Sequence, residues 1–287
     1  QSMVPQMVMP PLDYDWLAVD DDKREVDHEP YRFAVPNDAF ITPGNEGLWD
    51  RDASGRLRWR MQIDAPGAPH INLGFEQCTL PDGAEMTIEG VQWESFVGPL
   101  TQADVVEGEL WIPPVHDDRI MVTITCNDED QLFIEQEIAI TKVNVGYRGF
   151  SQLGNRGSSE ACNIDVACPE ADNWRNEIPS VAVYTLNGYF TCSGAMINNT
   201  AQDQTPYFLT ANHCGISTGN DQSMVVIWNY ENSYCRVPGS SDSGGNGNGN
   251  TNQYTSGALY LTGSGQTDFT LVRLNSSPPD SYEITFS

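Results

Sequence analysis

Nowhere in its 287 residues does the chain hold an apolar run near the ~18 that a membrane-spanning helix needs, so no such span is expected. Residues 1–11 are rich in Met and Pro, with no basic start leading into an apolar core, and no signal peptide is expected there. Basic side chains are scarce: 14 against 40 acidic ones, a formal net charge of −26. A field of that sign repels nucleic acid and anionic membranes, so neither is an expected partner. No C-x-x-C pair occurs, which argues against a zinc ribbon or a thioredoxin-like site. The acidic run Asp20-Asp21-Asp22 lacks the Asp-x-Asp-x-Asp-Gly pattern of a calcium loop, and no metal is assigned. Lysine is missing altogether from residues 157–287.

What is present reads as two folded β-domains. The charges are interspersed with Trp, Tyr, Phe and Ile, unlike a disordered acidic tail. Seven separated cysteines suit long-range disulfides and hence a secreted, extracellular setting. Residues 1–30 are polar and acidic and are expected to form a loose leader. From 31 to 148 short strands alternate with turns. Leu57, Trp59, Met61 and Ile63 interleave with Arg58, Arg60, Gln62 and Asp64 at the strand period of two. Stretches 121–126 and 132–145 read the same way, and Pro81-Asp82-Gly83 marks a turn. A β-sandwich is expected there, with Cys78 and Cys126 in strands and able to pair with each other. His70 and His116 sit near turns without matched partners and are expected at the surface.

A small, polar stretch at 149–156, ending in Arg156, is the best domain boundary. Beyond it, 157–287 again alternates strand and turn. Strands are predicted over 181–184, 189–197, 207–211, 224–230, 257–261, 268–274 and 282–286, with a Gly/Asn-rich loop at 244–250. That spacing predicts a small antiparallel barrel.

The strongest chemical signal lies in this second domain. In Leu209-Thr210-Ala211-Asn212-His213-Cys214 a histidine, the only one after residue 157, ends an apolar strand. Asp268-Phe269-Thr270-Leu271-Val272-Arg273-Leu274 places an acid immediately before another strand. Alone, the histidine reads as structural and the aspartate as a turn cap. Together, an imidazole that takes a proton and a carboxylate that holds its tautomer are two-thirds of a nucleophilic triad.

In order, the two motifs resemble the histidine and aspartate signatures of trypsin-like serine proteases. Further segments are similar to the mature start of bacterial lysyl endopeptidases: Ala161-Cys162-Asn163-Ile164-Asp165-Val166-Ala167-Cys168-Pro169-Glu170, Ser180-Val181-Ala182-Val183-Tyr184 and Trp228-Asn229-Tyr230. The likeness covers 157–287 almost continuously, and the upstream region resembles that family's pro-region. It implies an all-β chain: a β-sandwich pro-domain followed by the first β-barrel of a double-barrel protease. It also implies His213 as general base, Asp268 as its orienting acid, and disulfides Cys192–Cys214 and Cys168–Cys235. Cys162 is left to bridge to a second barrel, activation is expected between Arg156 and Gly157, and no cofactor is required.

The expected activity is peptide-bond hydrolysis after Lys or Arg by a secreted, monomeric enzyme acting on protein or peptide substrates. Ser241-Asp242-Ser243-Gly244-Gly245 imitates the nucleophile motif, but it precedes Asp268 and sits in the Gly/Asn-rich loop. Ser243 is therefore not expected to be the nucleophile. That serine is expected beyond Ser287, so these residues alone should be silent. The alternatives are a protease-like binding or inhibitory protein, or an adhesin built on the sandwich.

Overall fold

The computed structural model describes residues 3–92, 95–148, 162–243, 245 and 247–286. The expected cleavage point, Arg156–Gly157, lies outside the described residues. Strands dominate, as the composition requires, and they fall into two compact units. One comprises Gln1–Leu12 with Ala34–Tyr147, the other Asp13–Phe33 with Arg148–Ser287.

The first unit is a sandwich of a six-stranded and a five-stranded sheet. Leu57–Asp64 sits inside the six-stranded sheet, antiparallel to Arg119–Cys126, with Leu57, Trp59, Met61 and Ile63 buried. The period-two reading is correct there because one face of the strand meets the core. Ile71–Phe75 is buried at every position, between Leu110–Trp111 and Ile138–Gly146. The expected strand over 132–145 divides into the helix Gln131–Glu137 and the strand Ile138–Gly146. Acids at Asp128, Glu129 and Asp130 precede that helix, where its N-terminal dipole favours them. β-branched residues become frequent only from Ile138, with Ile140, Thr141, Val143 and Val145 following, against Ile134 alone in the helix.

Two expectations for this unit are corrected. His70 is fully buried rather than superficial: its ring meets His116 edge-on at 6.2 Å, and its carbonyl accepts the Gly146 N–H. A Cβ on Gly146 would approach that ring to 2.2 Å, so the sheet makes room for the imidazole. Cys78 and Cys126 do not pair. They lie in different sheets, on Gln77–Cys78 and at the end of Arg119–Cys126, as two buried thiols. A disulfide needs converging Cβ atoms as well as strand membership, so two cysteines on strands need not bond. Burial pushes the Cys78 thiol up to about 12 and the Cys126 thiol to about 11. Cys162 is free and exposed. A thiol reagent on the native chain should therefore modify Cys162 alone, whereas all three free cysteines should react in denaturant. Finding a single reactive thiol after denaturation would restore the Cys78–Cys126 bridge.

The second unit is built on an eight-stranded antiparallel sheet. Its main order is Tyr254–Ser256, Val225–Trp228, Val181–Leu186, Phe190–Ile197, Tyr207–Thr210, Phe269–Leu274 and Ala258–Ser264. The two end strands are consecutive in the chain, joined at Gly257, whose φ of 76° suits glycine. Its N–H donates to the Met224 carbonyl and its own carbonyl accepts the Asn275 N–H, so the sheet curls round towards itself. Inside lie Tyr184, Met196, Phe208, Val226, Trp228 and Val272. The Phe208 ring stands edge-on to Tyr184 and to Trp228, with centroids at 5.9 and 6.1 Å. Gly194 is required beneath it, since a Cβ there would come within 2.3 Å of the ring. Tyr254–Ser256 was not foreseen, and the strand predicted at 282–286 is instead a short 3-10 turn, Asp280–Tyr282, leading into irregular chain.

Asp165 and Arg236 tie the two sides of the Cys168–Cys235 disulfide. The Asp165 carboxylate accepts from the Arg236 guanidinium at 2.6 and 3.0 Å, from the Arg236 backbone N–H and from the Asn232 amide. The guanidinium holds its pKa at about 2, below the ordinary 3.8. The folded value is depressed, so this stabilisation is complete above the ordinary pKa and disappears as pH falls towards 2. Asp165→Asn should cost about 2 kcal/mol at pH 7 and much less near pH 2. Urea melts at the two pH values check this; an equal penalty at both would refute the charge argument.

The expected loose leader is structured. Gln6–Val8 adds a parallel strand to Leu57–Asp64, and Tyr14–Val26 is an α-helix. Asp13 caps the helix by accepting the Trp16 N–H at 3.0 Å, and Lys23 and Arg24 complement its C-terminal dipole. Tyr31–Arg32 pairs with Phe190–Ile197 in the second unit's sheet.

Candidate active site

Two neighbouring strands of the curled sheet end together. Tyr207–Thr210 runs antiparallel to Phe269–Leu274 with Thr210 opposite Thr270. The chain leaves the first strand into a tight turn, Asn212–Cys214, and enters the second directly after Asp268. His213 and Asp268, 55 positions apart, are thereby brought to one rim. His213 Nδ1 and Asp268 Oδ2 are 2.8 Å apart, while Asp268 Oδ1 accepts the His213 backbone N–H at 2.9 Å. One carboxylate thus grips both the ring and the backbone of one residue, fixing the imidazole's rotamer as well as its tautomer. With Nδ1–H donated to the carboxylate, Nε2 keeps the lone pair that a general base needs. Asp268 adopts φ 49°, a left-handed conformation that aspartate tolerates better than most residues.

The carboxyl of Asp268 lies below its usual range, first because of the His213 backbone N–H and then because of the imidazole. Both contacts favour its ionised form. Both side chains are half exposed, Asp268 at 52% and His213 at 51%.

Support beneath the histidine comes from residues whose roles the motif does not reveal. Thr210 Oγ1 donates to the Ser193 carbonyl at 2.8 Å and lies 3.0 Å from the buried Tyr184 hydroxyl. The Asn212 amide reaches Thr270 Oγ1 at 3.2 Å. Their only advance sign is Tyr and Thr at inward positions of strands beside the histidine. The Cys192–Cys214 disulfide joins the residue after His213 to the middle of Phe190–Ile197, and Cys168–Cys235 forms as well. Cys192, His213 and Cys214 lie close enough to resemble a metal cluster, but the disulfide consumes both sulfurs and leaves no thiolate ligand.

His213 and Asp268 open on a cavity of about 760 Å³ whose lining includes Thr191, Cys192, Asp22 and Tyr31 and, among the described residues, no serine. Ser243 is in an exposed turn near 240–243, where its N–H donates to the Ser240 carbonyl, and it does not line this cavity. Cys162 is placed away from any disulfide partner. The site can therefore accept a proton and hold the resulting imidazolium; among the described lining residues, no hydroxyl nucleophile of serine type accompanies it.

The profile of the lysyl endopeptidase C-terminal domain matches residues 156–287. A lysyl endopeptidase of Pseudomonas aeruginosa is 26% identical over 246 residues, an alignment covering 80% of this chain and 52% of that protein. The chain thus spans about half the length of the curated relative it matches.

Proposed function

We propose that the chain, whose residues 156–287 match the lysyl endopeptidase C-terminal domain, is part of a secreted serine endopeptidase precursor cutting after Lys or Arg. The observation that carries this reading is the 2.8 Å contact between His213 Nδ1 and Asp268. His213 Nε2 takes the proton of a serine hydroxyl as its oxygen bonds to the scissile carbonyl carbon. Asp268 stabilises the imidazolium, which returns the proton to the departing amine as the C–N bond breaks. Water then repeats the cycle on the acyl-enzyme, releasing the acid and restoring the serine.

The nucleophile, the oxyanion hole and the pocket for the substrate cation are supplied from outside these residues, in keeping with the match to half of the relative and with a cavity lining that holds no serine among the described residues. Cys162, exposed and free, is the candidate link to that remaining part. Processing between Arg156 and Gly157 separates the sandwich pro-domain from the barrel. Two disulfides support an oxidising compartment, and no helix among the described residues is long and apolar enough to cross a membrane.

The test is the full-length protein, treated with a serine-directed phosphonate and assayed on lysyl, arginyl and neutral peptide anilides. Covalent labelling with hydrolysis of the basic anilides, and a mature N-terminus at Gly157, are expected. A folded, processed protein that takes no label and cuts none of the anilides would replace this reading with a binding or inhibitory role.

A further inference from the structure

The second unit contains a piece of chain that its barrel does not need. Asp13–Phe33 clusters with Arg148–Ser287, although more than a hundred residues of sequence separate them. Tyr31–Arg32 extends the sheet by pairing with the edge of Phe190–Ile197, Tyr31 opposite Thr191 and Arg32 opposite Phe190. The Phe33 N–H donates to the Tyr189 carbonyl at 2.9 Å. Thr191 is the residue before Cys192, and Cys192 is disulfide-bonded to the neighbour of His213. The added strand therefore lies directly beside the general base. Asp22 and Tyr31 wall the cavity onto which His213 and Asp268 open.

The segment is latched by charge. Asp21, 5% exposed, accepts from Arg32 at 2.9 Å and lies 3.3 Å from the Arg148 guanidinium. Arg32 also pairs with Asp20 at 2.9 Å, and its carbonyl accepts from Arg148 Nε at 2.7 Å. Arg148 stacks over Tyr31 at 4.0 Å, and Arg24 lies over the Phe190 ring at 4.8 Å. Buried pairs of this kind hold a geometry firmly, because removing one partner strands the other charge away from water.

We propose that the sheet edge at Tyr189–Thr191 is a docking surface for an extended peptide, and that Asp13–Phe33 occupies it as a built-in competitor that closes the cleft beside His213. Main-chain pairing at a sheet edge recognises any extended chain, so a strand already seated there excludes an incoming one. Every contact of the segment is non-covalent, and the charged groups of the latch, Asp20, Asp21, Arg32 and Arg148, all precede residue 149. Cleavage between Arg156 and Gly157 therefore leaves the segment in place, and opening requires its dissociation as a separate step. The inhibitory role rests on the protease reading; the docking itself does not.

Peptide-resolved hydrogen exchange on the chain tests the docking. Residues 29–35 and 188–192 should exchange slowly in the native protein. Arg32→Ala, which removes the latch, and Tyr31→Pro, which bars the added strand, should each speed exchange at 31–33, while 207–210 stays protected as the control for folding and 34–35 and 190–192 keep their other strand partners. Rapid exchange of 29–35 in the unaltered chain would overturn the proposal.

In the full-length precursor, cut but not separated from its pro-region, either variant should raise hydrolysis of a lysyl anilide about tenfold. That is the gain expected from freeing a site closed about nine-tenths of the time. Unchanged hydrolysis by variants whose 31–33 amides exchange freely would overturn the competitor role. Slow exchange of 29–35 in a protein that takes no phosphonate label and never hydrolyses the anilide would refute the protease reading, and the competitor role with it, while the docking would stand.

Discussion

Replacing His213 with alanine in the full-length protein lowers kcat/KM on a lysyl or arginyl peptide by about four orders of magnitude. The expectation follows from the division of labour at the rim of the curled sheet. A serine hydroxyl is a weak nucleophile until a positioned base takes its proton, and His213 is the only histidine among residues 157–287. Asp268→Asn should cost nearly as much in kcat. The asparagine amide can present an N–H to Nδ1, and the ring then carries its proton on Nε2, where a lone pair is needed.

Both substitutions should leave the fold almost untouched, because these side chains are half exposed and outside the core cluster. A melting temperature within a few degrees of the unaltered protein, beside an activity loss of this size, separates catalysis from stability. If His213→Ala retained more than about a tenth of the activity, the assignment of the general base would fail.

Removing Cys168–Cys235 by double alanine substitution destabilises the second unit by about 4 kcal/mol, and removing Cys192–Cys214 by about 3 kcal/mol. The difference follows from loop length: the bridges span 67 and 22 residues, and the longer loop gains more freedom in the unfolded chain. Thermal melts should show the first double variant lowered by roughly 10 °C.

Activity should rank the two the other way. Cys192–Cys214 is attached to the residue after His213, so losing it loosens the proposed general base, whereas Cys168–Cys235 is held also by the Asp165–Arg236 pair. Assays well below either melting temperature should show the larger kcat loss for Cys192 and Cys214 variants. A larger loss on removing Cys168–Cys235 would refute this positioning role.

Several features were legible without coordinates because they are local. The alternation over Leu57–Asp64 encodes a strand with one buried face, and the histidine and aspartate motifs each mark the end of a strand. The helix Tyr14–Val26 was also open to reading: Asp13 is a capping residue, and neither Gly nor Pro interrupts it. Its acidity masked it, since Asp20, Asp21 and Asp22 suggest solvated chain rather than a latch for arginines. Cys78 and Cys126 were misjudged for a related reason. Strand membership can be read from periodicity, but which sheet a strand joins cannot.

Composition and short-range pattern were enough to establish a β-rich, strongly acidic chain and to single out one imidazole and one carboxylate worth testing. Only the folded molecule decided that Thr210 lies opposite Thr270, and hence that those two groups meet at 2.8 Å. It alone decided that an early segment lies along the edge next to them. Strand register and edge pairing are chosen by competition among distant main-chain partners and buried faces. Their free energies depend on every neighbour at once, and no window of adjacent residues contains them.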